Sequence, residues 1–124
     1  MQAVMHILIL NDLFLFLRVK WVTFYGTKYQ PGMIVAEGHD GLMPIFAQVK
    51  FLLALPDKRV FFLCKRVQIL RFVHHLWAFE VVVMNTECIL DYNSLYEFHP
   101  LDLYSIDYDH ASRKFVRPKY HIHD

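Results

Sequence analysis

The sequence predicts an all-β fold: a small, partly open barrel of about six strands, with an apolar N-terminal helix or strand packed on it. Two observations carry this. Residues 44–53 alternate cleanly, with Ile45, Ala47, Val49, Phe51 and Leu53 on one face and Gln48 and Lys50 on the other, the period-two pattern of a half-buried strand. Short β-branched and aromatic runs then recur between turn signals, among them Pro31-Gly32, Gly38–Gly41 and Pro56-Asp57; several short strands joined by short turns, without internal repeats, suit a barrel.

The totals set the frame. A chain of 124 residues makes one domain and buries about two thirds of the surface its unfolded form exposes. Apolar residues are 56%, aromatics 16% and charges 20%, which excludes the composition of a disordered chain. This apolar content leaves some surface to meet another segment or chain. A net charge of +1 argues against whole-chain attraction to nucleic acid or anionic membrane. The charge is segregated, however: residues 50–71 hold six bases against Asp57, and residues 80–109 hold seven acids and no Lys or Arg. Folding is expected to bring these blocks together. Cys64 and Cys88 do not make a disulfide framework. Cys64, among Phe61, Phe62 and Leu63, reads as a buried free thiol, and a reducing intracellular compartment, nuclear or cytoplasmic, fits.

Taken in order, residues 1–20 form an apolar leader, a truncated start or a helix. Ile7, Leu10, Phe14 and Leu17 recur at helical spacing. Asn11-Asp12 would alternatively cap a short helix over 13–19 after a strand over 7–10. Polar His6, Asn11 and Asp12 break the run, which speaks against a membrane span or a secretory signal. The barrel itself covers 21–124. Residues 21–25 read as a strand, 26–28 and 30–32 as turns, and 33–37 as the next strand. Residues 38–41 form a glycine loop. The 44–53 strand turns at 55–58 and returns over 59–67, with Val60, Phe62 and Cys64 on one face and Arg59, Phe61, Leu63 and Lys65 on the other. Residues 69–73 continue that strand or form a short one, and 76–84 follows. Asn85-Thr86 turns, 88–90 is short, and 94–98 is a helical turn capped by Ser94. Residues 101–106 are extended, 107–112 a polar loop. The last strand begins at Val116 and lies on an edge, because Pro118 cannot donate to a ladder.

Little in the chain carries chemistry, and a non-enzyme with no cofactor and no metal is expected. His74-His75 point to opposite faces of a strand. His121 and His123 share a face, and His99, Cys88 and the acids of 80–109 are the candidates for a third zinc ligand, but nothing in the spacing demands a site. Neither cysteine stands in the electropositive, exposed setting of a reactive thiolate. The glycines of 38–41 open no helix, so the phosphate-cradle pattern fails. The expected function is a protein- or peptide-interaction module, with an unknown partner and oligomeric state. The alternative is a nucleic-acid-binding barrel, in which Lys50, Lys65, Arg66 and Arg71 form a basic stripe near Phe51, Phe61 and Phe72.

Residues 29–36 (YQPGMIVA), 44–49 and 60–64 resemble the first three strands of SH3-like barrels of the Tudor-like kind. That resemblance implies an aromatic cage for methylated lysine or arginine, with Tyr29, Phe46 and Phe62 as the residues to inspect. The segment that usually follows the third strand in those domains is absent here. The series YGTKYQPGM, FAQVKFLLAL, VFFLCKRV, WAFEVV, FHPLDLY and FVRPKYHI also resembles a C-terminal segment of uncharacterised, transposon-associated proteins of fish genomes. It spans Trp21 to the C-terminus and implies a mobile-element origin without catalytic residues.

Overall fold

The computed structural model describes residues 2–11, 14–41, 43–57, 59–95, 97–108 and 111–118. They form a curled, open half-barrel sheet of ten strands: β1 (Gln2–Asn11), β2 (Phe14–Phe24), β3 (Thr27–Tyr29), β4 (Ile34–Asp40), β5 (Met43–Ala54), β6 (Val60–Val73), β7 (Ala78–Asp91), β8 (Glu97–Leu101), β9 (Leu103–Tyr108) and β10 (Ala111–Val116). The main path runs β1-β2-β5-β6-β7-β10-β9, with β3 on β2, β4 on β5 and β8 on β4. The ladders are antiparallel throughout. Asp102 alone separates β8 from β9, so the chain passes from the β4 edge to the β10 edge and straps the curl.

All-β character agrees with the sequence, but ten strands replace the expected six. The helical readings of 1–20 give way to two strands, β1 and β2, which pair from Gln2–Trp21 to Asn11–Phe14. Leu and Phe recurring at i, i+3 and i+7 in so apolar a run fit either period, and pairing with β5 through Leu17–Ala54, Arg18–Leu53 and Val19–Leu52 decides for strand. The expected turn at 26–28 moves back one residue. Tyr25 (φ 50°) and Gly26 (φ 82°) both lie in the left-handed region, as a two-residue hairpin between β2 and β3 requires. Residues 38–40 belong to β4 rather than to a loop, and the chain turns at Gly41. The expected strands 76–84 and 88–90 are one 14-residue strand; Asn85 and Thr86 sit in a bulge there instead of a turn. The helical turn is a 3-10 turn over Tyr92–Ser94 capped by Asp91, not Ser94. Part of the expected 107–112 loop is a β9–β10 hairpin. The last strand expected from Val116, on an edge, is not formed where it is described: Val116 ends β10 between β7 and β9, paired with Phe79 and Leu103, and Arg117 and Pro118 belong to no strand, as suits a residue that cannot donate to a ladder. Its remainder, with His121 and His123, lies outside the described residues.

Bulges decide where the core sits. Lys50 is skipped between the Val49–Cys64 and Phe51–Leu63 pairs. The single apolar face expected for 44–53 is therefore split: Ala47, Val49, Leu52 and Ala54 share one face, while Phe51 and Leu53 point to the other. On the first face Val19, Val35, Ala47, Val49, Leu52, Val60, Phe62, Cys64 and Leu90 make one cluster, closed over by Val22, Tyr29 and Leu95. On the opposite face Ile34, Ala36, Phe46, Val67, Val81 and Val116 make a second. The long strands β5, β6 and β7 thus carry two cores, one on each side, at opposite ends.

The turn before β4 is held by glycine. Gly32 has φ 96°; its N–H donates to Val49 O at 2.8 Å, and Val49 N–H donates to Met33 O at 2.9 Å. A Cβ added there meets nothing within 4 Å, so Gly32→Ala isolates the backbone cost. We expect it to lower unfolding free energy by about 1–2 kcal/mol in a urea melt.

Candidate functional site

Strand β7 is asymmetrically partnered. β5 has β4 along the first half of one edge and β2 along the second. The corresponding outer edge of β7 pairs with β10 only at Phe79–Val116, Glu80–Phe115 and Val81–Lys114. No strand among the described residues pairs with that edge from Val82 to Asp91. Where β10 leaves β7, the fork opens a cleft of about 270 Å³ lined by residues of both strands, among them Val81–Val83 and Ser112–Lys114. Glu80 is buried at its base, with Arg71 at 3.4 Å and Arg113 at 3.9 Å.

A second feature meets the same edge. Phe51, Leu63 and Ile89 are register partners across β5, β6 and β7. They form a straight apolar row on the face opposite the first core, beside the buried Leu53. Phe51 and Leu63 are half-buried, and Ile89, at the open edge, is 59% exposed. Arg18 lays its guanidinium 4.0 Å from the Phe51 ring centroid, which covers one end of the row. Two acids flank Ile89 on β7: Glu87, exposed and opposite Lys65, and Asp91, opposite Phe61. Asp91 Oδ1 also accepts from Asn93 N–H at 3.0 Å.

The residues singled out from the sequence scatter over this frame. Tyr29 and Phe62 do meet, with ring centroids 5.5 Å apart, but both are fully enclosed in the first core; Phe46 lies in the second core on the other face. The basic residues divide likewise. Lys65 shares a face with Leu63, and Arg66 points to the opposite one; Lys50 occupies the β5 bulge. Arg66 binds Glu37 at 2.8 Å, a pairing that holds its guanidinium pKa above the ordinary value. Arg71 binds Glu80, so the basic and acidic blocks do meet there. Ile89, Leu63 and Glu87 were not among the sequence candidates. Their signal lay in reading 78–91 as one strand, which the polar Asn85-Thr86 pair concealed.

Burial pushes the Cys64 thiol up to about 12 and also raises Cys88, so both are protonated at neutral pH, unlike a nucleophilic cysteine. The Arg59 backbone N–H leads the contacts that hold the Asp57 carboxyl below its usual range. Among the described residues no three His, Cys, Asp or Glu side chains gather into a metal-sized group. No helix among them is long and apolar enough to cross a membrane.

No family model matches the chain, and neither the curated proteins nor the solved structures contain a significant match to it.

Proposed function

We propose that the chain is a non-catalytic peptide-interaction module that takes an extended segment as an added strand along Glu87–Asp91. The observation that carries this is the Phe51–Leu63–Ile89 row running off a strand edge that is unpaired among the described residues. In strand addition, backbone hydrogen bonds supply affinity, and alternate side chains falling on one face supply specificity. A residue placed opposite Ile89 meets apolar surface, and its neighbours two positions away meet Glu87 and Asp91. Opposite-charge cross-strand pairs are favourable and like-charge pairs unfavourable. The preferred ligand is therefore an apolar residue between two basic ones at two-residue spacing.

The test is a fluorescence-anisotropy titration with a labelled Thr-Arg-Thr-Ile-Thr-Arg-Thr peptide, followed by hydrogen exchange of the complex. Binding with slowed exchange at 87–91 is expected, and the Glu-substituted peptide should bind at least tenfold more weakly. Ile89→Lys should weaken binding by a similar factor while changing stability by no more than about 0.5 kcal/mol, as exposed substitutions do. Equal binding of both peptides, or protection elsewhere, would sink the proposal.

The SH3-like parentage remains part of this proposal and rests on the consecutive β4–β5–β6 meander; enclosure of Tyr29 and Phe62 leaves it without a cage. A nucleic-acid reading draws on Arg18 over Phe51 and on Arg59, 5.8 Å from the Phe61 ring. Arg59 is already paired with Asp57 at 2.7 Å, and the stripe is split between faces, so the peptide reading is preferred. An oligonucleotide in the same titration, binding with a steep salt dependence, would reverse that preference.

A further inference from the structure

Cys64 and Cys88 are direct register partners on β6 and β7. Both belong to the same face of the sheet: Cys64 is fully buried in the first core, and Cys88 packs against it from the edge strand. Both are free thiols. Directly opposed residues of an antiparallel pair have Cα atoms about 4.5–5.5 Å apart, inside the roughly 4.4–6.8 Å range that a disulfide spans. Their Cβ atoms, about 4.5–5.5 Å apart in such pairs, must close slightly to reach the disulfide range of roughly 3.5–4.5 Å. A bond formed there would be labile rather than a permanent staple.

We propose that Cys64 and Cys88 are an oxidation site, in which a hydroperoxide converts the facing thiols to a reversible cross-strand disulfide. Access sets the order of events. Cys88 is half-buried and Cys64 is not exposed, so the oxidant reaches Cys88 first. The Cys88 thiolate attacks one peroxide oxygen, the O–O bond breaks, and Cys88 becomes a sulfenic acid while water or an alcohol leaves. The Cys64 sulfur, losing its proton, then attacks the Cys88 sulfur and expels water. Two thiols are oxidised to one disulfide and one peroxide is reduced. A thiol reductant returns the pair to its starting state. Arg66, whose charge favours the Cys88 thiolate, stands two residues beyond Cys64 on β6. Burial keeps both thiols largely protonated at neutral pH, so the reaction should accelerate as pH rises. This inference is independent of the peptide reading, because the pair occupies the opposite sheet face from the Phe51–Leu63–Ile89 row.

The experiment treats the reduced full chain with hydrogen peroxide, alkylates remaining thiols, and measures intact mass and linked peptides. The expected product is a monomer lighter by two hydrogens, with Cys64 joined to Cys88 and neither alkylated. It should return to the dithiol with dithiothreitol. Cys64→Ser should leave Cys88 as a sulfenic acid that dimedone traps, and Cys88→Ser should leave Cys64 unmodified under the same treatment. A wild-type chain that stays reduced, links only between molecules, or proceeds to a sulfinic acid at Cys88 with Cys64 free overturns the proposal.

Discussion

Phe62→Ala is expected to cost about 3–5 kcal/mol of folding free energy, the range for deleting a fully buried aromatic ring. Phe62 has no exposed surface and sits on β6, the middle of the three long strands. It packs against Tyr29 at 5.5 Å, and Tyr29 in turn meets Tyr92 at 5.8 Å and Phe24 at 6.1 Å. The ring therefore joins the β2–β3 hairpin and the 3-10 turn to the sheet. Whole domains hold only about 5–15 kcal/mol, so the variant should be partly or wholly unfolded at room temperature. Leu70→Ala is the contrast: Leu70 is 42% exposed, and the change should stay within about 1 kcal/mol. Urea melts of the two variants check the pair. Equal small losses would mean that Tyr29 and Tyr92 are not anchored through Phe62.

Alkaline pH should destabilise the fold through Cys64. Its thiol pKa rises from 9.0 to about 12, chiefly because burial penalises the thiolate. Between these values the unfolded chain loses the proton and the folded chain keeps it. The folded state then binds more protons, so unfolding free energy falls as pH rises. The contribution is fully present below pH 9.0 and is lost progressively towards pH 12; a shift of this size amounts to a few kcal/mol, on the order of 1.4 per pKa unit. Tyr92 and Cys88 are also raised by burial and act in the same direction. Chemical denaturation at a series of pH values, for wild type and Cys64→Ala, separates the thiol from the rest. A shallower alkaline slope in the variant is the expected result, and parallel slopes would remove Cys64 from the account.

The all-β class and the β5–β6 hairpin were legible because strict alternation and a Pro-Asp turn leave few alternatives. The face assignment of β6 was legible for the same reason: Val60, Phe62 and Cys64 share the first core. What the alternation could not reveal was a skipped residue. Nothing marks Lys50 as a bulge, yet it moves Phe51 and Leu53 to the opposite face. The same problem concealed the candidate site. Asn85-Thr86 carries a turn signature, but β6 supplies a continuous partner on both sides of it, and tertiary pairing overrides local preference. At the N-terminus, apolar residues were so dense that helical and extended periods both found support, and the free edge of β5 resolved the choice. That no strand among the described residues pairs with the outer edge of β7 beyond Val81 is a matter of topology, readable only once every strand has a neighbour assigned.

The two cores placed back to back on β5, β6 and β7 have a consequence for how the molecule comes apart. In a protein built as two lobes, one lobe can melt while the other persists. Here each of the three strands is a structural member of both hydrophobic clusters, and loosening either one frays the ladders on which the other is built. Residues as distant as Val19 and Val116 are thereby thermodynamically coupled through shared backbone, and unfolding should proceed as one cooperative event.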